Sequence, residues 1–448
     1  MTKRELEKTH HDYDALIDEW RFYVSAYFGG RMYKEGNYLI RHPFESSANY
    51  RRRREISYYY NYCGPVVDIY VSHLFRKEAS RELGSLAKDR LFADFQQDAD
   101  LEGNSLRHFL REAQRLASVY GRVAIIVDKP AVMACTKAEA ICESIRPYVT
   151  LITPENLLDW CYGRSPGGRP VLEMVKVREA ADRYRIWTTE GWELWAIGAD
   201  NEPVLVDAGL HGLGEVPIVP LYNKQSGVKM IGVSDIQDIA DINKNIYYLC
   251  SDAKEIIENT AFPMLAMPYS RAEKEEKEVG PHNILQFDPS EPNARPYWLE
   301  APHSSLTEIR EWVRQDIEEI YRIAKLGGVK AAESVGQARS GVALEMEYQQ
   351  LYSTLSEKAD NLEQAEQKIL SLWARWEGRE FDGRVDYPDD FSVKDLDRDL
   401  QNAISAQSAM INSETFRKEL QKKIVGSVLP KADGEIRDRI ISEIEKGA

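Results

Sequence analysis

The hydrophobic period of this chain changes near Ser234, and that change most limits how it can fold. Before it, between residues 120 and 220, apolar side chains come in short runs rich in β-branched residues. The clearest is Arg122–Asp128, reading Arg-Val-Ala-Ile-Ile-Val-Asp; further runs lie at Tyr148–Ile152, 172–177, 184–188, Gly191–Ile197 and 204–206. Turn signals such as Ser165-Pro166-Gly167-Gly168 and Thr189-Glu190-Gly191 separate them. Runs of this kind predict strands, and their close spacing predicts an antiparallel meander beside helices. After Ser234 the period lengthens: Ile236, Ile239, Ile246, Leu249, Ala253 and Ile256 recur at helical steps. Ser234 with Gln237 reads as a capping box, and so does Ser305 with Glu308. The second box opens another apolar stripe, Leu306, Ile309, Val313, Ile317, Ile320 and Ala324, closed by Gly327-Gly328. Between the two helices lies a proline-punctuated insert, 261–304, with candidate strands at 284–287 and 295–299. A third stripe runs through Leu344, Tyr348, Leu351, Leu355, Leu362, Ala365, Ile369 and Leu372. It predicts a helix over 340–376, too long to belong to one small layer.

The rest of the chain is mostly helical in pattern. Leu16, Trp20, Val24 and Tyr27 place a helix over 12–28, ended by Gly29-Gly30. A helix over 55–76 is expected to kink at Gly64-Pro65. Another is expected near 104–119, a short strand and turn over 384–391, and two or three amphipathic helices over 394–446. The fold class is therefore α+β, mainly α.

Charge narrows the function. The net charge is −15 over 448 residues, whereas a protein that holds nucleic acid by its phosphates is basic on at least one face. Tight or sequence-specific DNA binding is not expected; an acidic wall that guides DNA is compatible. The five cysteines form no CxxC pair, which predicts reduced cysteines and no structural zinc. The first residues, Met1-Thr2-Lys3-Arg4-Glu5, lack an export core, and no stretch approaches a membrane span, so a soluble protein made in the cytoplasm and no membrane partner are expected. No GxxxxGK[ST] or HExxH pattern occurs, and the GxSxG letters at Gly163-Arg164-Ser165-Pro166-Gly167 fall in a turn signal between strands, so no catalytic centre, cofactor or metal is expected. His10-His11 reads as a solvated pair. Asp235, Asp238 and Asp241, at i, i+3 and i+6, could hold Mg²⁺ only if other elements brought ligands to them. That arrangement defines the main alternative, a metal-dependent nucleic-acid-processing enzyme. Arg51–Arg54 reads as inter-subunit or solvated arginines, and Tyr58–Tyr60 as interface packing.

Four stretches in order resemble the portal, or head–tail connector, proteins of tailed double-stranded DNA bacteriophages. Arg122–Lys129, followed by Thr153-Pro154-Glu155-Asn156-Leu157-Leu158-Asp159-Trp160, is similar to the strand pair and turn of a portal wing. Val216-Pro217-Ile218-Val219-Pro220, leading to Gly232-Val233-Ser234-Asp235-Ile236, is similar to the wing-to-stem passage. The helix–insert–helix of 234–326 resembles a stem with its clip. Gln337-Ala338-Arg339-Ser340-Gly341-Val342-Ala343-Leu344 resembles the step that follows a tunnel loop. The resemblance implies a wing over 1–233, stem helices over 234–260 and 305–326, and a clip over 261–304. It further implies a tunnel loop over 327–339, a long spanning helix and strand over 340–393, and a helical crown over 394–448. It implies a homo-oligomeric ring of typically twelve subunits at one capsid vertex of the virion, with duplex DNA passing through it. The implied partners are the terminase large subunit, a head-completion or adaptor protein, and the major capsid and scaffolding proteins. Lys330, Gln337 and Arg339 would face DNA from the tunnel loop, and Asp235, Asp238, Asp241 and Lys325 would belong to the channel wall. Another structural virion protein, of capsid or scaffold type, is the second alternative.

Overall fold

A computed structural model describes residues 1–130, 137–260, 264–268, 285–287, 295–299, 304–327, 341–388 and 391, and in the tail 413–414, 418, 421–422, 425 and 434–446. Residues 1–390 form one unit and 391–448 a second. In the first, helices α1 (Lys3–Glu7), α2 (His11–Phe28), α3 (Gly30–Glu35), α4 (Ser47–Ile56) and α5 (Cys63–Leu74) precede strand β1 (Ser80–Glu82). Helices α6 (Arg90–Gln97) and α7 (Leu106–Tyr120) lead into β2 (Arg122–Asp128), followed by α8 (Lys137–Cys142) and β3 (Tyr148–Ile152). Strands β4 (Leu157–Arg164), β5 (Pro170–Ala180), β6 (Arg183–Thr188), β7 (Gly191–Ile197), β8 (Pro203–Leu210) and β9 (Ile218–Tyr222) come next. The long helices α9 (Gln237–Thr260) and α10 (Ser304–Ile323) flank β10 (Met264–Pro268), β11 (Leu285–Phe287) and β12 (Tyr297–Leu299). Then follow α11 (Gly341–Trp376) and β13 (Arg384–Asp386); in the second unit the described helix is α12 (Gly434–Lys446).

The expected single meander is two sheets. One has the order β3-β2-β9, antiparallel throughout; the other is the five-stranded meander β4-β5-β6-β7-β8. All seven residues of β2 are buried, because α7 and α11 both pack against it. A strand covered on both faces shows no alternation, which is why its sequence reads as a continuous apolar run. The strands β4 and β9 sit in segments that read only as turn and passage. In the insert, β10 pairs in parallel with β11 and antiparallel with β12.

The helix expected over 55–76 is a correction. Helix α4 ends at Ile56 and α5 starts at Cys63, so Gly64 and Pro65 lie in a first turn. There proline loses nothing, since its missing N–H would have had no intrahelical partner. The intervening Tyr58–Tyr62 segment is held by Asn243 of α9, whose Oδ1 accepts from the Tyr59 hydroxyl at 2.8 Å and the Tyr62 N–H at 3.0 Å. Of the short strand and turn expected over 384–391, the strand is Arg384–Asp386, pairing with β1.

The core follows the long helix. Leu351, Leu355, Leu362, Ala365, Ile369, Leu372 and Trp373 of α11 are buried, and α11 lies against β9, β2 and α5. Trp373 packs edge-on against Phe92 of α6, ring centroids 5.0 Å apart. Helix α7 ends at Gly121, with φ of +90°. A Cβ there would lie 2.5 Å from the carbonyl oxygen of Gly232, and one on Gly232 would lie 2.0 Å from that of Gly121. Two glycines in contact thus let the chain leading into α9 cross the start of β2.

Candidate functional site

Helices α9 and α10 pack on each other as a hairpin, and α10 has no other extensive helical partner among the described residues. They run in opposite directions, α9 away from the body and α10 back towards it: buried apolar residues stand around the start of α9, at Ile236, Ile239, Ala240, Ile246 and Tyr247, and where α10 ends, at Ile320 and Ala324. The Asn245 amide donates to Asp316 at 2.7 Å and sets their register.

The root of the hairpin is a buried polar cluster. Lys358 of α11, its side chain 3% exposed, donates to both carboxylate oxygens of Asp235 at 2.7 and 2.8 Å. Its ammonium also donates to the Asn223 side-chain oxygen. The Asn223 amide donates to Asp235 and to the Val233 carbonyl, both at 2.9 Å, and Ser118 donates to Asn223 at 3.1 Å. Ser234 donates to the Val119 carbonyl at 2.6 Å while its hydroxyl accepts from the Ile236 N–H at 3.1 Å. The start of α9 is therefore tied at once to α7, the end of β9 and α11. Nearby, Arg122 at the first position of β2 is 1% exposed; its Nε donates to the Met230 carbonyl and its guanidinium lies 5.5 Å over the Trp160 ring. Burial pushes this guanidinium down to about 10.

A second cluster fastens α9 further along. Arg53 of α4 is fully buried and grips Glu45 through two bonds of 2.8 Å, Ser251 at 3.2 Å and Asp252 at 3.4 Å. The paired guanidinium holds the Glu45 carboxyl below its ordinary range, while burial raises that of Asp252. His42 bridges Asp252 at 3.2 Å and the Tyr248 hydroxyl at 3.1 Å.

Residues 25–423 match the family model described as phage portal protein, SPP1 Gp6-like. The chain belongs to this phage portal family. Among solved structures, the chain is similar to one from the virion of a native gene transfer agent particle, with TM-score 0.44 and 12% identity over 80% of this chain and 89% of that one. It is similar to one from the neck of an empty particle computed with C6 symmetry, TM-score 0.43, 12% identity, 80% and 89% covered. A third, from the neck of a native particle computed with C12 symmetry, gives TM-score 0.44, 12% identity, 92% and 94% covered. No curated protein matches.

The sequence-derived site residues of this portal chain fall into three groups. Asp238 and Asp241 are exposed on the first turns of α9. Asp235 is turned inward onto Lys358, so its carboxylate serves the root of the hairpin rather than a solvent-facing wall. Lys325 is exposed just after α10, with φ of +55°, and donates to Thr354 at 3.0 Å. Lys330, Gln337 and Arg339 lie outside the described residues. Asp235, Asp238 and Asp241 do not converge: among the described residues the group of three potential metal ligands within 4.8 Å is His10, His11 and Asp12. Of the arginine run, Arg53 is internal and Arg52 pairs with Glu258 at 2.6 Å.

The root residues Lys358 and Asn223 were not singled out from the sequence. A signal existed for Lys358: it stands three residues after Leu355 and four before Leu362, a charge within an apolar stripe. The same holds for Glu366, 0% exposed, which accepts from Arg81 at 2.6 Å and from the Tyr387 hydroxyl at 2.6 Å.

Proposed function

We propose that copies of this portal protein close into a ring, typically of twelve subunits, at one vertex of the capsid, with duplex DNA passing through the centre. The observation that carries this reading is the long two-helix hairpin, fastened to the body at its root by Lys358 and further along α9 by Arg53, in a chain of the portal family. Helix α9 holds five carboxylates, Asp238, Asp241, Asp252, Glu255 and Glu258, against two ammonium groups, Lys244 and Lys254. Duplex DNA carries about one negative charge per 1.7 Å of axis. Exposed carboxylates such as Asp238 and Asp241, repeated around an axis, repel it from all sides and leave no deep binding register. Lys330, Gln337 and Arg339 would supply the few weak contacts that DNA makes. In this reading the insert 261–304 meets the terminase large subunit and later the head-completion protein, the outer face meets capsid and scaffolding proteins, and energy comes from a separate ATPase.

The test is direct. Negative-stain micrographs of the purified chain are expected to show closed rings with a central hole. Fluorescence anisotropy with linear duplex at moderate salt is expected to show only weak, sequence-independent binding. A stable monomer under all assembly conditions, or nanomolar sequence-specific affinity, would overturn the reading.

A further inference from the structure

Two exposed aromatic patches lie on opposite flanks of the α9/α10 hairpin. Trp312, midway along α10, is 60% exposed. Glu308, Asp316 and Glu319 stand four before, four after and seven after it, on the same helix face. Glu308 and Glu319 are exposed; Glu319 pairs with Arg322 at 2.6 Å and Asp316 accepts from Asn245, so Glu308 is the carboxylate that gives the indole its negative neighbour.

The other patch is tyrosine and cation. Tyr58 and Tyr60 are 50% and 46% exposed, their rings 5.0 Å apart edge-to-face and their hydroxyls bonded at 3.2 Å. They are seated on α9, where the Asn243 amide donates to the Tyr60 carbonyl at 2.8 Å. Lys254, three turns further along the same face, reaches Glu258 at 3.7 Å, and Arg52 reaches the same carboxylate at 2.6 Å. Two cations share one anion, which leaves this flank positive.

Helix geometry places the patches on opposite sides. Asn243, which holds Tyr60, and Asn245, which holds Asp316, are two residues apart on α9, about 200° around the helix, so the tyrosine patch and Asp316 meet α9 on opposite sides. The Asn245–Asp316 bond marks the Trp312 side. It also sets the level: one turn back from Asp316, Trp312 lies beside the Leu249–Cys250 region of α9, midway between Asn243, which holds Tyr60, and Lys254.

We infer that these flanks are the two halves of one head-to-tail contact between copies of this chain, the acidic Trp312 flank of one copy seating on Tyr58, Tyr60 and Lys254 of the next. The inference rests on the ring reading and deepens it. Unlike patches on opposite flanks at one level repeat by rotation without rise, which closes a ring instead of building a filament. Tryptophan and tyrosine are the side chains that most often anchor interfaces, and the opposite charges around them select the orientation. A second copy is the favoured occupant because the patch and its charge complement are carried by the same chain.

The experiment uses the full chain, with assembly followed by light scattering and micrographs. Trp312→Ala, at an exposed position, is expected to keep the helical circular dichroism and to raise the concentration for half-assembly by roughly tenfold or more. Glu308→Lys is expected to weaken assembly, and adding Lys254→Glu to restore part of it. Trp312→Cys with Tyr60→Cys in one chain is expected to give a ladder of covalent multimers on oxidation, which neither single substitution gives. Wild-type rings whose assembly is unmoved by Trp312→Ala, with no ladder from the cysteine pair, would overturn this contact and leave the ring reading standing. A wild-type chain that never rings would remove both.

Discussion

Lys358→Met tests the root of the hairpin most sharply. The substitution keeps the length and apolar stem of the side chain and removes the ammonium held 2.7 Å from Asp235. At that distance and an effective dielectric near 20, the attraction is about 6 kcal/mol. Desolvation of both ions offsets much of it, so the relevant quantity is the cost of stranding one partner, about 3–5 kcal/mol for a buried pair. Asp235 is 11% exposed at its side chain and keeps the Asn223 donor at 2.9 Å, which places the expected loss near the lower end, about 3 kcal/mol. Asp235→Asn alone is expected to cost about 2 kcal/mol, and the double variant about 1–2 kcal/mol, because neither leaves an uncompensated charge when combined. Urea unfolding followed by far-ultraviolet circular dichroism measures the three losses. Hydrogen exchange at the first amides of α9 locates the effect and is expected to accelerate most in Lys358→Met. Losses that add within about 0.5 kcal/mol, or a Lys358→Met loss below that size, would refute the argument that this pair fastens α9.

Two further outcomes follow from other sites. The bonds from Arg53 lower the Glu45 carboxyl below its ordinary 4.5; a group lowered on folding contributes stability that is present above the unfolded value and lost as pH falls through the folded one. Stability is therefore expected to decline below about pH 4.5, and Glu45→Gln is expected to lower stability at neutral pH and flatten that acid limb in thermal melts. Gly121→Ala puts a side chain at φ +90° and within 2.5 Å of the Gly232 carbonyl. It is expected to cost more than about 2 kcal/mol in urea titration, and a wild-type midpoint would refute the crossing described at that point.

Legibility differed by the kind of interaction. The strand Arg122–Asp128, helix α7 and the stripes of α9, α10 and α11 were readable because each buries one continuous apolar set, and burial imposes a period. Boundaries were readable only where a local rule stood alone. At Gly64-Pro65 the same dipeptide satisfies a kink and a first turn; the choice went to the first turn, with Asn243, almost two hundred residues away, binding the segment before it. Among the site residues, Asp235 and Asp238 are three apart in one polar pattern, yet one is turned inward onto Lys358 and the other is exposed. Nothing within the pattern distinguishes them.

Taken alone, the amino-acid order determined the α+β class, the change from strands to long helices at Ser234, the acidic balance and the resemblance to phage portals. The first three are properties of periodicity and composition, carried by neighbours within a few turns or strands; the resemblance rests on four motif stretches in their order along the chain. The tertiary structure decided which charges remain in water and which become ties: Asp235 on Lys358, Glu45 on Arg53, Glu366 on Arg81. It also decided that Trp312 and the tyrosine pair stand on opposite flanks of one hairpin. The physical reason is that a buried charge is stable only where the fold brings it a partner, and such meetings depend on packing in three dimensions.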